Sequence, residues 1–386
     1  METCDVLIAG GGPAGSTCAW ALCQAGLDVV VADKAIFPRD KVCAGWITPQ
    51  VVADLQLDVE EYRDGRTYQP FMGFRVGVVG HRGDVDAAYD HPVSYGIRRC
   101  EFDEYLLQRS GARLRLGAPV SKIRREGRLW TVGDNLTTPM LVGAGGHFCP
   151  VARLLNGSNP DAALVVAQET EFAIDPGDAS SFSAEAERPE LYFSRALNGY
   201  GWCVRKQNYL NVGFGHLDRR TLPRATAEFA AFLETERKIP RHLSCRWKGH
   251  AYLLSGPPRR QIVDDGLLLI GDAAGLAYPQ SGEGIRTAVE SGLIAAATIL
   301  EARGRYNSAH LESYERRVRQ RFGIGPASGA ASQLLPRRLV RMMGPWLLRT
   351  PWFVRHVLVD RWFLHARESA LSPAFATAGS SPQGMI

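Results

Sequence analysis

The sequence lacks the long apolar runs that a membrane-spanning helix requires. No stretch among its 386 residues reaches the roughly 18 consecutive apolar residues that cross a bilayer. The N-terminus, METCDVLIAGGG, also lacks the basic segment and the small-residue cleavage site of a secretory signal, so it predicts a β-strand. Together these absences favour a cytoplasmic protein.

Cysteine pairs and metal-ligand spacings are also missing. The eight cysteines form no CxxC pair, and scattered thiols in a chain of this length indicate a reducing compartment, not a disulfide framework. His91, His147, His216 and His250 show no metal-ligand spacing. We therefore expect hydrogen-bonded structural histidines and no bound metal.

The net charge and the composition exclude few classes of protein. The net charge is only +5, and 45% of the residues are hydrophobic, which is sufficient for a globular core. A mild positive charge does not by itself indicate a nucleic-acid partner. No nucleic-acid-binding motif accompanies it, so we predict none.

A dinucleotide-binding motif opens the chain. The apolar run at residues 5–9 precedes GGGPAG, in which Gly10, Gly12 and Gly15 fit GxGxxG. The first glycine permits a tight turn, the second lets the backbone approach a pyrophosphate, and the third lets the helix pack on the strand. Asp33 ends the next apolar run, where an acid binds the adenosine ribose. The order strand, glycines, helix, strand and acid predicts dinucleotide binding.

A second glycine-bearing segment lies near the C-terminal end of the chain. Gly271 and Asp272 directly follow the apolar run LLLI, and a helical pattern begins after Gly282 and Gly284. A carboxylate at a strand end suits a hydroxyl-rich chain such as ribityl. The amides at the start of a helix suit a developing negative charge.

The combination of GGGPAG with GDAAGLAYPQSGEGI resembles FAD-dependent enzymes of the p-hydroxybenzoate hydroxylase fold. Within that group, SGEGI and KVCAGW resemble the geranylgeranyl reductase family. The resemblance covers about residues 4–300. It implies FAD as cofactor and an α/β fold, with a Rossmann-like FAD-binding domain, an inserted β-rich substrate domain and a helical C-terminus.

The resemblance also implies which residues hold the cofactor. Gly10, Gly12, Gly15 and Asp33 would bind the ADP half, and Arg99 would lie against the cofactor. Asp272 would bind the ribityl chain, while Gly282, Glu283, Gly284 and Ile285 would meet the pyrimidine edge of the flavin. The predicted cofactor-binding residues are Gly10, Gly12, Pro13, Ala14, Gly15, Asp33, Lys34, Lys41, Arg99, Gly271, Asp272, Gly282, Gly284 and Ile285.

Cys43, Tyr200 and Trp202 are the predicted catalytic residues. Arg39 and Lys41 flank Cys43 and favour its thiolate, and the resemblance places this cysteine beside the reacting face of the flavin. Tyr200 and Trp202 belong to a segment, residues 199–215, that resembles the family's aromatic substrate cavity. The competing interpretation of Cys43 is a small buried hydrophobic residue.

Three functions follow from this pattern. We expect reduction of carbon–carbon double bonds in a prenyl or other hydrophobic substrate, by hydride transfer from reduced flavin and protonation by Cys43 or by water that it orders. NAD(P)H, a ferredoxin or a reductase would supply electrons. One alternative is a flavin monooxygenase of an aromatic or polyketide compound, although residues 143–146 read GAGG where hydroxylase-like branches carry an aspartate. The other is a flavin-binding membrane-surface protein without turnover.

We predict three domain pieces. Residues 1–65, 96–160 and 256–325 form the FAD-binding domain, residues 66–95 and 161–255 form an antiparallel-sheet substrate domain, and residues 326–386 form a helical segment and tail. Residues 334–367 contain seven arginines and one acid. They predict either helices that cap the substrate cavity with their apolar side or a basic surface that rests peripherally on anionic lipid.

Overall fold

The computed structural model describes residues 1–157, 164–175, 183–240, 246–254, 260–323 and 343–371. The strands in the described part are β1 (Glu2–Thr3), β2 (Val6–Ala9), β3 (Val29–Asp33), β4 (Trp46–Ile47), β5 (Gln69–Phe71), β6 (Gly73–Val78), β7 (Val85–Ala88), β8 (Ser94–Gly96), β9 (Arg113–Leu116), β10 (Arg124–Glu126), β11 (Leu129–Val132), β12 (Leu136–Thr138), β13 (Met140–Gly143), β14 (Leu164–Ala173), β15 (Glu190–Phe193), β16 (Gly199–Lys206), β17 (Tyr209–His216), β18 (Lys248–Leu253), β19 (Val263–Asp264) and β20 (Leu267–Leu269). The main helices are α1 (Pro13–Gln24), α2 (Pro49–Asp54), α3 (Val59–Arg63), α4 (Arg99–Arg109), α5 (Pro150–Asn156), α6 (Leu222–Thr235), α7 (Ile285–Ala302) and α8 (Ser308–Arg321).

A six-stranded sheet of order β19-β20-β13-β2-β3-β9 carries the first motif. Its pairings are parallel except for β19 with β20. The strands β2, β13 and β20 are buried along their whole length, as expected when helices cover both faces of a parallel sheet. Helices α1 and α7 pack against each other, and Gly292 permits this approach, since a Cβ there would lie 2.6 Å from the carbonyl oxygen of Ala14.

A seven-stranded sheet of order β18-β14-β17-β16-β15-β6-β7 forms the second layer. The prediction of an antiparallel sheet needs one correction, because β6 and β15 pair in parallel. These two strands come from separate stretches of the chain, so no tight turn forces them to run in opposite directions. One face packs on α6, where Cys203 of β16 and Phe229 of α6 belong to one buried cluster. The other face presents Ala167, Trp202 and Val204.

The C-terminal segment covers part of that second face. Residues 343–347 are helical, and a helical turn at Pro351–Phe353 continues into a π-helix at Val354–Phe363. Leu358 and Phe363 are buried in one cluster with Trp46 and Trp202. The predicted helical C-terminus is therefore present. Residues 334–342 of the arginine-rich stretch and the tail after residue 371 lie outside the described residues.

Three further observations concern only the part of the chain that the structure describes. No helix there combines the length and the apolar character needed to cross a membrane. No group of three or more His, Cys, Asp or Glu side chains there is arranged to hold a metal ion. The seven cysteines within it are free thiols.

Candidate active site

A cavity of about 520 Å³ lies between the two sheets. It brings together residues from both glycine-bearing segments and from the second sheet. Those predicted from the sequence that line it are Gly10, Gly12, Pro13, Ala14, Asp33, Lys34, Lys41, Cys43, Arg99, Tyr200, Trp202, Asp272, Gly282, Gly284 and Ile285. Gly15 and Gly271 lie behind this lining. Gly15 permits the close contact of α1 with β2, since a Cβ there would collide with the carbonyl of Gly10.

The first glycine segment presents backbone atoms to the cavity. Gly10 has a φ of +123°, and a Cβ there would collide with the carbonyl of Ala144. Helix α1 begins at Pro13, and no described side chain caps its first turn. Asp33 accepts hydrogen bonds from the backbone N–H of Gly11 at 2.8 Å and of Ala35 at 2.9 Å. The uncapped amides and the helix dipole make this end of the cavity suited to a pyrophosphate.

The second glycine segment forms the neighbouring wall. Helix α7 begins at Ile285 after Gly284, and Glu283 Oε1 accepts a hydrogen bond at 2.7 Å from the backbone N–H of Arg286 in its first turn. A Cβ on Gly284 would lie 3.2 Å from Oδ1 of Asp272, so the Asp272 carboxylate faces this helix start. Gly282 has a φ of +70°, and a side chain there would collide with the Tyr252 hydroxyl. The dipole at this helix start and the Asp272 carboxylate beside it suit a ligand with both an electron-rich edge and hydroxyl groups.

Buried cations surround the middle of the cavity. Arg99 forms a bidentate pair with Asp103, with both N···O distances 2.8 Å, and Arg39 joins the same carboxylate at 3.1 Å. Lys41 Nζ lies 2.6 Å from Nε2 of His250. Burial lowers the pKa of Lys41 to about 8. Burial, and then the Lys41 charge, lower the pKa of His250 to about 2, so its imidazole is neutral.

Cys43 is half-buried and lines the cavity. The sequence predicts that Arg39 and Lys41 supply its neighbouring positive charge, but those two side chains pair with Asp103 and His250. Arg99, which lines the same cavity, interacts electrostatically with the Cys43 side chain. This guanidinium comes from a distant part of the sequence.

Tyr200 and Trp202 present their rings to the cavity while their polar atoms are bonded elsewhere. The Tyr200 hydroxyl donates to the carbonyl oxygen of Ser281 at 2.5 Å, and Trp202 Nε1 donates to Asn211 Oδ1 at 2.7 Å. Burial raises the pKa of Tyr200 well above its usual value, so the phenol stays protonated. The Tyr200 ring also packs edge-on against Phe363, with centroids 5.5 Å apart.

Several residues at the site were missed from the sequence. His250 and His147, expected to be structural, line the cavity with Tyr252. Glu169, Glu171, Asn211 and Lys206 form a buried polar cluster beneath Cys43. The only signal in the sequence was the alternation of acids in QETEF, and an acid at every second strand position more often marks a solvent-exposed face.

The comparisons agree with this geometry. The model of the family described as FAD binding domain matches residues 3–323, so the chain belongs to that family. The chain is an FAD-dependent oxidoreductase of the p-hydroxybenzoate hydroxylase fold, and the predicted fold class and cofactor are confirmed. The glycine positions without room for a Cβ, the uncapped start of α1 and the Asp272 carboxylate beside the start of α7 fit FAD.

Named relatives place the chain more closely. It is 30% identical over 322 residues to a menaquinone reductase of Mycobacterium tuberculosis, covering 76% of each chain. It is 28% identical over 350 residues to a digeranylgeranylglycerophospholipid reductase of Methanothrix thermoacetophila, covering 83% of this chain and 84% of that one. A geranylgeranyl bacteriochlorophyll reductase-like protein of Thermoplasma acidophilum superposes with a TM-score of 0.71 at 21% identity, covering 99% and 98%. The resemblance to the geranylgeranyl reductase family is thereby confirmed.

Proposed function

We propose that this oxidoreductase reduces carbon–carbon double bonds of a prenyl or other hydrophobic chain. The observation that carries the proposal is one continuous cavity that joins the FAD-suited glycine segments to an aromatic compartment containing Cys43, Tyr200 and Trp202. The names of relatives that are reductases of geranylgeranyl lipids support the same substrate class. The residue roles below are part of the proposal.

In this proposal the two glycine segments hold the cofactor. Gly10, Gly12 and the first turn of α1 would hold the pyrophosphate, with Asp33 beside the adenosine ribose. Asp272 would bind the ribityl hydroxyls, and the start of α7 would meet the pyrimidine edge of the ring. When bound and reduced, FAD supplies a hydride.

The remaining task for the protein is to bind the alkene and deliver a proton. An isolated alkene is barely polarised, so holding it in one orientation in a dry cavity must supply much of the rate. The rings of Tyr200 and Trp202 exclude water from that compartment. Cys43 lies beside Arg99 and would give the proton to the second carbon, directly or through an ordered water.

An anaerobic product assay tests this proposal. Holoenzyme reduced with dithionite is mixed without oxygen with a geranylgeranyl lipid, and the products are measured by mass spectrometry. We expect products that have gained two hydrogens for each double bond reduced. If product formed only after air was admitted and carried oxygen, the enzyme would be a monooxygenase. A flavin-loaded protein that gave no product in either atmosphere would have a binding role alone.

A second anaerobic assay identifies the class of electron donor. Anaerobic bleaching of the bound flavin is followed after adding NADH, NADPH or reduced ferredoxin in separate experiments. We expect one donor to reduce the flavin much faster than the other two. Equal slow bleaching by all three would point to a dedicated reductase partner.

We also propose a peripheral contact with anionic lipid through the described C-terminal segment. Trp346 and Trp352 are 64% and 66% exposed, and exposed Arg349, Arg355 and Arg361 accompany them. Exposed aromatic rings with arginines suit the interfacial region of a bilayer. Nearby carboxylates are engaged, since Asp360 accepts a hydrogen bond from Tyr89 and Asp86 pairs with Arg75.

Vesicle flotation tests this contact. The full chain should float with vesicles containing phosphatidylserine, and less with phosphatidylcholine alone. Replacing Trp346 and Trp352 with alanine should reduce flotation, whereas Leu129→Ala, at a residue of β11 that is 45% exposed, should not. Equal flotation of all three proteins would remove the proposed contact.

A further inference from the structure

Side chains of the second sheet form hydrogen bonds with both the N–H and the carbonyl oxygen of Cys43. Its N–H donates to Glu169 Oε2 at 2.6 Å, and its carbonyl oxygen accepts from Asn211 Nδ2 at 3.2 Å. Glu169 lies on β14 and Asn211 on β17, neighbouring strands that are far from Cys43 in the sequence. Residue 43 is in no helix or strand, so regular secondary structure does not supply these partners.

The next two residues of this loop are held in the same way. The carbonyl oxygen of Ala44 accepts from Lys206 Nζ at 3.2 Å, and that of Gly45 accepts from the backbone N–H of Ile97 at 2.8 Å. Gly45 has a φ of +72°, and its missing Cβ leaves room for Lys206 Nζ. Three consecutive carbonyls thus have defined partners. A half-buried loop with its carbonyls satisfied in this way adopts one conformation.

A single hydrogen bond orients the Asn211 amide. Trp202 Nε1 is a donor only, and it lies 2.7 Å from Asn211 Oδ1. The amide nitrogen must therefore point toward the carbonyl of Cys43 and the carboxylate of Glu171, 3.1 Å away. The ring that lines the cavity and the loop that carries the thiol are thereby linked through one amide.

We propose that Glu169 and Asn211 are positioning residues that hold the Cys43 backbone so that its thiol faces Arg99 and the cavity. This inference rests on the proposed function only for the use of the thiol in turnover. Glu169 is 5% exposed and receives the Cys43 N–H at the short distance typical of a charge-assisted bond. A residue that only stabilised the sheet would make no contact with the loop at residues 43–45.

The charges around Glu169 give the loop a pH dependence. The charged groups beside Glu169 are Glu171 on its own strand, Lys206 on β16 and Lys248, its cross-strand partner on β18, which pairs with Asp40. Lys206 and Arg98 pair directly with Glu171, whose pKa is lowered. Burial raises the pKa of Glu169 to about 7. The bond to the Cys43 N–H is therefore charge-assisted at alkaline pH and weaker below neutrality.

Alkylation of Cys43 in the holoenzyme tests the inference without relying on turnover. The rate of modification by iodoacetamide is measured from about pH 5.5 to about pH 9, a range that spans the titration of a buried carboxyl and of a thiol, on the Cys43 peptide by mass spectrometry. We expect the wild-type profile to contain an inflection near pH 7 in addition to that of the thiol. Glu169→Gln keeps an acceptor oxygen but cannot titrate, so it should remove that inflection and match the wild-type rate near pH 6 within about twofold.

Removing the acceptor should have the larger effect. Glu169→Ala should change the rate near pH 6 by roughly fivefold, the effect of one lost hydrogen bond. Glu190→Gln is the matched control, because Glu190 is a buried carboxylate of the same sheet paired with Lys238 and should leave the Cys43 profile unchanged. Flavin absorbance and thermal unfolding verify that each variant is folded.

The outcomes separate the two proposals. A Glu169→Ala profile that superposes on the wild type over the whole pH range would overturn the positioning role. If that profile changes as expected but Cys43→Ala retains full turnover, the positioning role stands and the catalytic role of Cys43 fails.

Discussion

The two walls of the cavity differ in which part of the amino acid contacts the ligand. The glycine wall, residues 10–15 and 282–285, offers backbone amides and helix starts. The sheet wall, formed by β14, β16, β17 and the loop at residues 43–45, offers side chains that hold other side chains and the loop backbone. The first is specified by a few adjacent residues and the second by contacts between distant strands. The predictions below separate these two modes.

The largest effects are expected at the glycine wall. Gly15→Ala should lower the free energy of unfolding of the apoprotein by about 1–3 kcal/mol, because the new Cβ collides with the Gly10 carbonyl. Gly12→Ala should leave apoprotein stability within about 0.5 kcal/mol, because the nearest described protein atom to its Cβ is Arg39 Nη2 at 3.4 Å. Urea unfolding of the two apoproteins measures this difference.

FAD titration completes the comparison. Gly12→Ala should weaken FAD binding by at least about tenfold, or roughly 1.4 kcal/mol, since the methyl group occupies space that the pyrophosphate needs. If Gly12→Ala bound FAD as tightly as the wild type, the pyrophosphate would not lie at this turn.

The next effect is at the sheet wall. Cys43→Ala should lower the turnover of alkene reduction by roughly 100-fold, the lower range for loss of a general acid, while FAD affinity is unchanged. Cys203→Ala is the matched control, because Cys203 is on the opposite face of the same sheet. A Cys43→Ala enzyme with wild-type turnover would show that water or another group delivers the proton.

Two buried carboxyl groups, Glu169 and Asp54, should contribute less to the stability of the protein as pH rises toward neutrality. Burial raises the pKa of Glu169 to about 7 from its usual 4.5, and that of Asp54 to about 7 from 3.8. The folded state therefore binds more protons than the unfolded state, and the stabilisation present below about pH 4 is lost as pH rises through about 7. Shifts of this size correspond to roughly 3–4 kcal/mol for each group.

Urea unfolding at about pH 5 and about pH 8, on either side of the raised pKa values, measures this loss. Glu169→Gln and Asp54→Asn should each remove part of this loss, measured as the difference in the free energy of unfolding between wild type and variant at the two pH values, and the double variant should remove more. Oδ2 of Asp54 has no hydrogen-bond partner within the described residues, which agrees with a protonated acid at neutral pH. A difference between wild type and variant that was the same at both pH values would contradict the assignment for that residue.

The smallest effect is expected at Tyr200. Tyr200→Phe removes the hydroxyl that donates to Ser281 and should lower stability by about 1 kcal/mol. Turnover should change by less than about threefold, because the ring that lines the cavity is retained. A large loss of turnover with unchanged stability would make the hydroxyl itself a proton donor.

The difference between the two walls explains which site residues the sequence predicts. A pyrophosphate turn needs glycines at fixed short spacing, so Gly10, Gly12 and Asp33 are recognised from one segment. Arg99 was identified only through the family resemblance, and the cluster of Glu169, Glu171, Asn211 and Lys206 was not identified at all. Their proximity depends on the strand register, which pairs Glu171 with Asn211, and no local pattern encodes it.

The charge near Cys43 shows the same limit. Adjacent residues suggested Arg39 and Lys41, yet those side chains pair with Asp103 and His250, and the guanidinium at the thiol comes from α4. Sequence neighbours in a loop often point to opposite sides. The fold class, the cofactor and the helical C-terminus were predicted correctly, whereas the domain limits and the residue roles remain predictions.

Anaerobic reoxidation of the reduced holoenzyme by a geranylgeranyl lipid tests the central claim most directly. Stopped-flow absorbance of the flavin is followed after mixing wild-type or Cys43→Ala enzyme with the lipid. We expect the oxidised spectrum to return without oxygen in the wild type and much more slowly in the variant. A flavin that stayed reduced until oxygen was admitted, with or without lipid, would contradict it.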